Sequence, residues 1–118
     1  MADRVLRVGN VEVVREFTDV RDVVRAYIGL MRATPPAACY NIASGTGYPL
    51  KRALELLLDL ATVEMVLEVD PTRIRAADPA VLVGDPSKLQ ELTGWAPEIA
   101  LERSISDILD HWRREVSP

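Results

Sequence analysis

At 118 residues the chain is the size of one domain, residues 1–118 read as a single unit, and 48% hydrophobic with 27% charged residues is a globular rather than a disordered balance. A formal net charge of -4 argues against a general nucleic-acid surface, although two well-placed arginines suffice to hold a diphosphate. The single cysteine, Cys39, excludes an internal disulfide or a cysteine-based zinc site; no signal-peptide pattern opens the chain and no apolar run reaches membrane-spanning length, so a cytoplasmic protein away from membranes is expected.

In chain order, Val11 to Phe17 is rich in valine with Glu and Arg interleaved and predicts a strand. Thr18 and Asp19 offer acceptors to a helix start, and Val20, Val23, Val24, Tyr27, Ile28 and Met31 follow at helical spacing. That stripe is expected to face the core, with Arg21, Asp22, Arg25 and Arg32 on the wet side. Ala38 to Ala43 reads as a short strand with Cys39 buried in it, and Ser44-Gly45-Thr46-Gly47 as a turn. Pro49 suits the first turn of a helix carrying Leu50, Ala53, Leu54, Leu57, Leu58 and Ala61 on one side. Val63 to Val69 alternates as a strand should.

A polar loop then carries Arg73, Arg75 and Asp78, and Val81 to Val83 is briefly extended. Asp85-Pro86 predicts a capped helix start and Gly94 its stop, with Trp95 folding back. The last helix places Leu101, Ile105, Ile108, Leu109, Trp112 and Val116 on one stripe. The alternation predicts an α/β lobe of about three short strands and four helices. That is too little for a free-standing doubly wound sheet, and fits a lobe that leans on something larger.

Several chemistries lack their residues. A dinucleotide site needs G-x-G-x-x-G between strand and helix, and Leu50 stands where the third glycine after Gly45-Thr46-Gly47 belongs. The tyrosines Tyr27, Tyr40 and Tyr48 are followed four positions on by Met31, Ser44 and Arg52, never by the lysine of a Tyr-x-x-x-Lys pair. His111, the single histidine, falls on the wet side of the last helix and offers no triad. No catalytic set is expected in this chain.

What the sequence does offer is arginine and carboxylate beside strand ends. Arg15 closes the first strand; Arg75 and Asp78 share a loop. A guanidinium fork can donate two parallel bonds to a diphosphate, and a carboxylate can accept one from each hydroxyl of a ribose diol. The spacing by itself equally fits a solvated surface pair.

The wider wording separates the two. Residues 8–27 (VGNVEVVREFTDVRDVVRAY), Tyr40-Asn41-Ile42-Ala43-Ser44-Gly45, Asp70 to Asp78 (DPTRIRAAD), Gly84-Asp85-Pro86-Ser87-Lys88-Leu89 and Thr93-Gly94-Trp95-Ala96-Pro97 occur in one order. This series resembles the C-terminal, substrate-binding portion of extended short-chain dehydrogenases, most of all the GDP-mannose 4,6-dehydratase and GDP-4-keto-6-deoxymannose reductase group. The resemblance implies that Arg15 and Arg75 contact a diphosphate and Asp78 a ribose, with Lys88 and Trp95 structural and no contact assigned to Asn10. It implies a nucleoside-diphosphate sugar as ligand, and NADP or NAD bound by a Rossmann half that precedes this portion in the family and whose motifs are not in these residues. This lobe, inactive alone, is then covered on its apolar side by that half, or by a second copy if the lobe has become an interaction module. Glu16 stands where the family has Asp, Ala76 where it has Pro, and Pro49 where it has Ser.

Overall fold

The computed structural model describes residues 4–117. Its elements run β1 (Val5–Val8), β2 (Val14–Glu16), α1 (Val20–Ala33), β3 (Gly47–Pro49), α2 (Leu50–Leu60), β4 (Val66–Val69), a 3-10 turn (Pro71–Arg73), β5 (Val81–Leu82), α3 (Ser87–Thr93) and α4 (Leu101–Glu115). The α/β class and the four helices follow the sequence reading. The strands, five among the described residues, make two small sheets. β1 pairs in parallel with β4, from Val5 opposite Val66 to Val8 opposite Val69. β2 is central in the other sheet, antiparallel to β3 and parallel to β5.

Two strand expectations change. Val5–Val8 is a strand that local pattern does not announce, because its ladder partner lies some sixty residues away. Ala38 to Ala43 is not a strand: its backbone makes no ladder, and side chains hold it instead. Asn41 donates to the Asp85 carbonyl and Lys88 Nζ to the Cys39 carbonyl, with the ammonium 4.6 Å from the centre of the Tyr40 ring. Cys39 is accordingly exposed rather than buried in a strand.

The helix ends are satisfied in three ways. Asp19 caps α1 by accepting the Arg21 N–H at 2.9 Å. Pro49 precedes α2 rather than entering it, and the first N–H groups of α2 are taken by main-chain carbonyls, Leu50 to Val13 and Lys51 to Val11. This docking is why the extended segment from Val11 yields a ladder only from Val14. Asp85 accepts the Ser87 N–H from just ahead of α3, and Gly94 ends that helix at φ 71°, as its sequence requires.

The packing of α1 departs most from the sequence reading. The buried stripe is not the valine-rich one but Asp22 and Ala26, with Leu30 half-buried, set against α3 and Trp95. Small residues let the helices approach: a Cβ on Gly29 would sit 3.5 Å from Thr93. Asp22, expected on the wet side, is fully buried because both oxygens of its carboxylate find donors. Arg25 donates at 2.7 Å, Ile99 N–H at 3.0 Å and Glu98 N–H at 3.2 Å, while Trp95 Nε1 donates to the Asp22 carbonyl at 2.9 Å. Meanwhile Val20, Val24, Tyr27, Ile28 and Met31 face outward, Met31 with 76% of its surface exposed.

The fold is therefore a thin slab of 57 × 38 × 19 Å. Its radius of gyration, 17.5 Å, exceeds the roughly 13.5 Å of a compact chain of this length. It exposes 8420 Å², against about 6,400 Å² for a compact monomer of its mass.

Candidate functional site

The parallel pairing of β1 and β4 brings two distant segments to the same edge. Both strands end side by side at Val8 and Val69, so Gly9-Asn10 and the Asp70 to Asp78 loop leave the sheet together at its carboxyl end. Gly9 permits the contact: a Cβ there would lie 2.6 Å from the Arg73 carbonyl oxygen. Asp70 fixes the start of the loop by accepting from the Thr72 N–H at 3.0 Å, the Thr72 hydroxyl at 2.6 Å and Arg73 Nε at 3.3 Å. The Thr72 hydroxyl, followed by the Thr72 N–H, holds the Asp70 carboxyl below its ordinary range.

These segments and one side of α2 line an open hollow of about 440 Å³, within the usual size of small-molecule sites. Its charged lining is Arg73, Arg75 and Asp78; its apolar lining includes Val11, Leu50 and Leu54. Arg75 and Asp78, two of the three residues singled out from sequence, thus share one cavity. Both are exposed, and among the described residues neither side chain is engaged in a hydrogen bond or ion pair. The Asp78 N–H reaches the Arg75 carbonyl at 3.4 Å, closing residues 75–78 into a turn.

Arg15, the third, is a neighbour and not part of the lining. It sits on β2 opposite Tyr48 and Leu82, and its Nη1 donates to the carbonyls of Val14 at 2.8 Å and Pro79 at 2.9 Å. Its charge is thereby held against the end of the loop that carries Asp78.

Four residues gain a place that sequence reasoning did not give them. Asn10 and Arg73 line the hollow. Phe17, the only phenylalanine, lines this hollow and also the one between α1 and α4. Glu16 accepts from the Ser44 N–H, the Ser44 hydroxyl and the Gly45 N–H, clasping the 44–46 turn to β2. Glu16 and Phe17 directly follow Arg15 in the sequence, and that adjacency was the available signal.

A second hollow, about 450 Å³ and mostly apolar, opens between the start of α1 and α4, where Val20, Ile108 and Trp112 meet. Its floor is tied by Asp19, which receives Arg21 at 2.9 Å and the Ser104 hydroxyl at 2.6 Å; Arg21 extends to Asp107 at 2.7 Å. Arg21 first, against a cost from burial, holds the Asp19 carboxyl far below its ordinary range. The Thr18 hydroxyl oxygen, buried beside this hollow, has no hydrogen-bond partner among the described residues. His111 is exposed, edge-on to Trp112 at 5.6 Å.

A lobe of two small sheets and four helices, with an Arg-x-x-Asp loop at the carboxyl end of a parallel pair, has the form of the C-terminal portion of extended short-chain dehydrogenases. The chain belongs to the GDP-mannose 4,6 dehydratase family, whose model matches residues 2–108. It is 39% identical over 111 residues to the GDP-6-deoxy-D-mannose reductase of Pseudomonas aeruginosa, covering 94% of this chain and 36% of that protein. The structure of RMD from Pseudomonas aeruginosa complexed with NADPH superposes with a TM-score of 0.87 at 36% identity, over 96% of this chain and 37% of that one. A UDP-glucose 4-epimerase of Corynebacterium glutamicum is 29% identical over 101 residues, 84% of this chain and 30% of its own length. The chain thus spans about a third of the relatives it matches.

The Ser44–Gly47 turn does not fit a dinucleotide phosphate. The nearest glycine pair leads straight into β3, and the space beside Gly47 is filled, since a Cβ there would lie 2.6 Å from Val14 and 2.8 Å from Val83. A dinucleotide phosphate needs open backbone N–H groups at such a turn. Glu16 already occupies those of Ser44 and Gly45.

Proposed function

We propose that this chain is the substrate lobe of a sugar-nucleotide reductase or dehydratase and binds a nucleoside-diphosphate sugar of the GDP-mannose type in the hollow at the ends of β1 and β4. The observation that carries this reading is the convergence of Arg75 and Asp78 on one cavity with both side chains unengaged. Arg75 grips the diphosphate, with Arg15 reaching it from the neighbouring strand, and Asp78 accepts the ribose hydroxyls. NADP or NAD, and the hydride and proton chemistry it supplies, belong to a separate Rossmann half; this lobe positions the sugar nucleotide and turns over nothing alone. The working place of the lobe is the cytoplasm.

Calorimetric titration with GDP-mannose, GDP and UDP-glucose tests this. Binding that Arg75→Ala weakens at least tenfold, about the worth of one charge-assisted hydrogen bond, is the expected result. No heat at millimolar ligand overturns autonomous recognition.

The outward face of α1 is the docking surface for that half. The surplus of about 2,000 Å² over a compact monomer exceeds the roughly 800 Å² that each partner buries in a standard interface and is in the range of obligate ones. The same surplus supports a second reading, a module whose face is covered by another copy. Sedimentation decides between them: a concentration-dependent dimer favours the second, a monomer that binds nucleotide the first.

A further inference from the structure

Residues 37–43 alternate like a strand and pair with nothing in the chain. Cys39 and Asn41 are exposed, Tyr40 and Ile42 half-buried, and Ile42 packs against Ala26, Leu89 and Trp95. Among the described residues no main-chain N–H from Ala37 to Ala43 meets an acceptor. The free run has sharp ends: Pro36 has no N–H, and the Ser44 N–H is already taken by Glu16. One lateral edge is occupied, since Lys88 Nζ donates to the Cys39 carbonyl, and in a strand Cys39, Asn41 and Ala43 turn their main-chain groups the same way. The other edge, that of Ala38, Tyr40 and Ile42, is open. Charge does not blunt it either. Proteins guard open edges with charged side chains, and none lies between Arg32 and Lys51.

We propose that this open edge pairs with the same edge of a second copy of the chain, antiparallel about a twofold axis at Tyr40. A twofold contact needs a surface that complements itself, and an antiparallel strand pair does so group for group. The free run 37–43 is centred on Tyr40. Full overlap therefore sets Tyr40 opposite its own copy, with Ala38 opposite Ile42 and Cys39 opposite Asn41 of the second copy. About six hydrogen bonds then join the copies, through the main-chain groups of Ala38, Tyr40 and Ile42. Surface is in ample supply, because a standard dimer interface needs only about 800 Å² from each partner and the lobe carries more than that in surplus. The proposal rests on the reading in which another copy covers this lobe. It does not depend on nucleotide, since residues 37–43 do not line the hollow that holds Arg75 and Asp78.

The test is sedimentation of the full chain over a range of concentrations, native and as Ala38→Pro. Proline removes the Ala38 N–H, which bonds nothing within the chain, so the lobe keeps its own hydrogen bonds while the dimer loses two. Expected is a native dimer whose dissociation constant rises at least tenfold in A38P, with the far-ultraviolet spectrum of the native chain retained. Asn41→Cys reads the register. Facing positions that exchange no hydrogen bonds stand about 4.5 Å apart at Cα, within disulfide reach of Cys39 on the second copy. Copper–phenanthroline oxidation is therefore expected to give covalent dimers of N41C and none of the native chain, whose Cys39 faces Asn41. A dimer that A38P leaves equally tight and N41C does not cross-link overturns the strand pairing, while the copy-covered reading stands. A native chain that stays monomeric at every concentration overturns both.

Discussion

Asp22 is the residue whose environment makes the sharpest demand. Burial by itself raises a carboxyl's pKa, but the Arg25 guanidinium and the N–H groups of Ile99 and Glu98 outweigh it, and the Asp22 carboxyl lies below its ordinary range. A folded-state pKa below the unfolded value near 3.9 gives stability that is present above that value and lost as pH falls through the folded one. The urea midpoint is therefore expected to fall as pH is lowered from about 5 to 2, with a shallower fall in Asp22→Asn. At neutral pH Asp22→Asn leaves Arg25 and two N–H donors without their charge partner, and a loss of about 3 kcal/mol in urea unfolding is expected. Gly9→Ala acts differently. Its Cβ meets the Arg73 carbonyl, so the variant is expected to fold with a displaced 73–78 loop and to bind GDP about tenfold more weakly by calorimetry.

At the scale of elements, the loop that carries the candidate site admits an improvement. Ala76 is the second residue of the turn closed from Asp78 N–H to Arg75 C=O, and its own N–H makes no main-chain bond. Proline suits that position, so Ala76→Pro is expected to add about 0.4–1 kcal/mol to thermal stability, and to tighten GDP binding by holding Arg75 and Asp78 in place. The helices were legible in the sequence because their signals are local: Asp19 as a cap, Gly94 as a stop, apolar spacing in α2 and α4. β1 was not, because a four-residue strand is defined by β4 rather than by itself. The face of α1 was misread for a related reason. Hydrophobicity ranks the valine stripe first, yet Asp22 and Ala26 fill the gap beside Trp95, a fact of shape and hydrogen-bond supply that periodicity does not carry. Arg75 and Asp78 were legible as a pair. Asn10 joins them only through the β1–β4 pairing, whereas Arg73 shares their loop.

For the molecule as a whole, the thin slab and the outward α1 face make one prediction. Val24→Glu together with Met31→Lys removes apolar surface that covers nothing in this chain. The double variant is expected to change folding stability by under about 0.5 kcal/mol and to abolish self-association, or docking on a co-expressed Rossmann half, in sedimentation. A large loss of stability instead would mean that the face packs within the chain.

The meeting of Gly9 with Arg73 has a consequence for how the lobe breathes. The two walls of the hollow leave strands joined by a four-residue ladder, across a loop of roughly sixty residues whose closure carries an entropic cost. A ligand spanning both walls binds only when that ladder is zipped. At a hundredfold excess over its dissociation constant it favours the zipped form by about 2.7 kcal/mol. Amide exchange at Val66 and Asp70, whose N–H groups donate to Arg4 and Val8, would then slow on adding nucleotide while the exposed turns keep their rates. Occupancy of the pocket becomes readable as the lifetime of a two-stranded ladder.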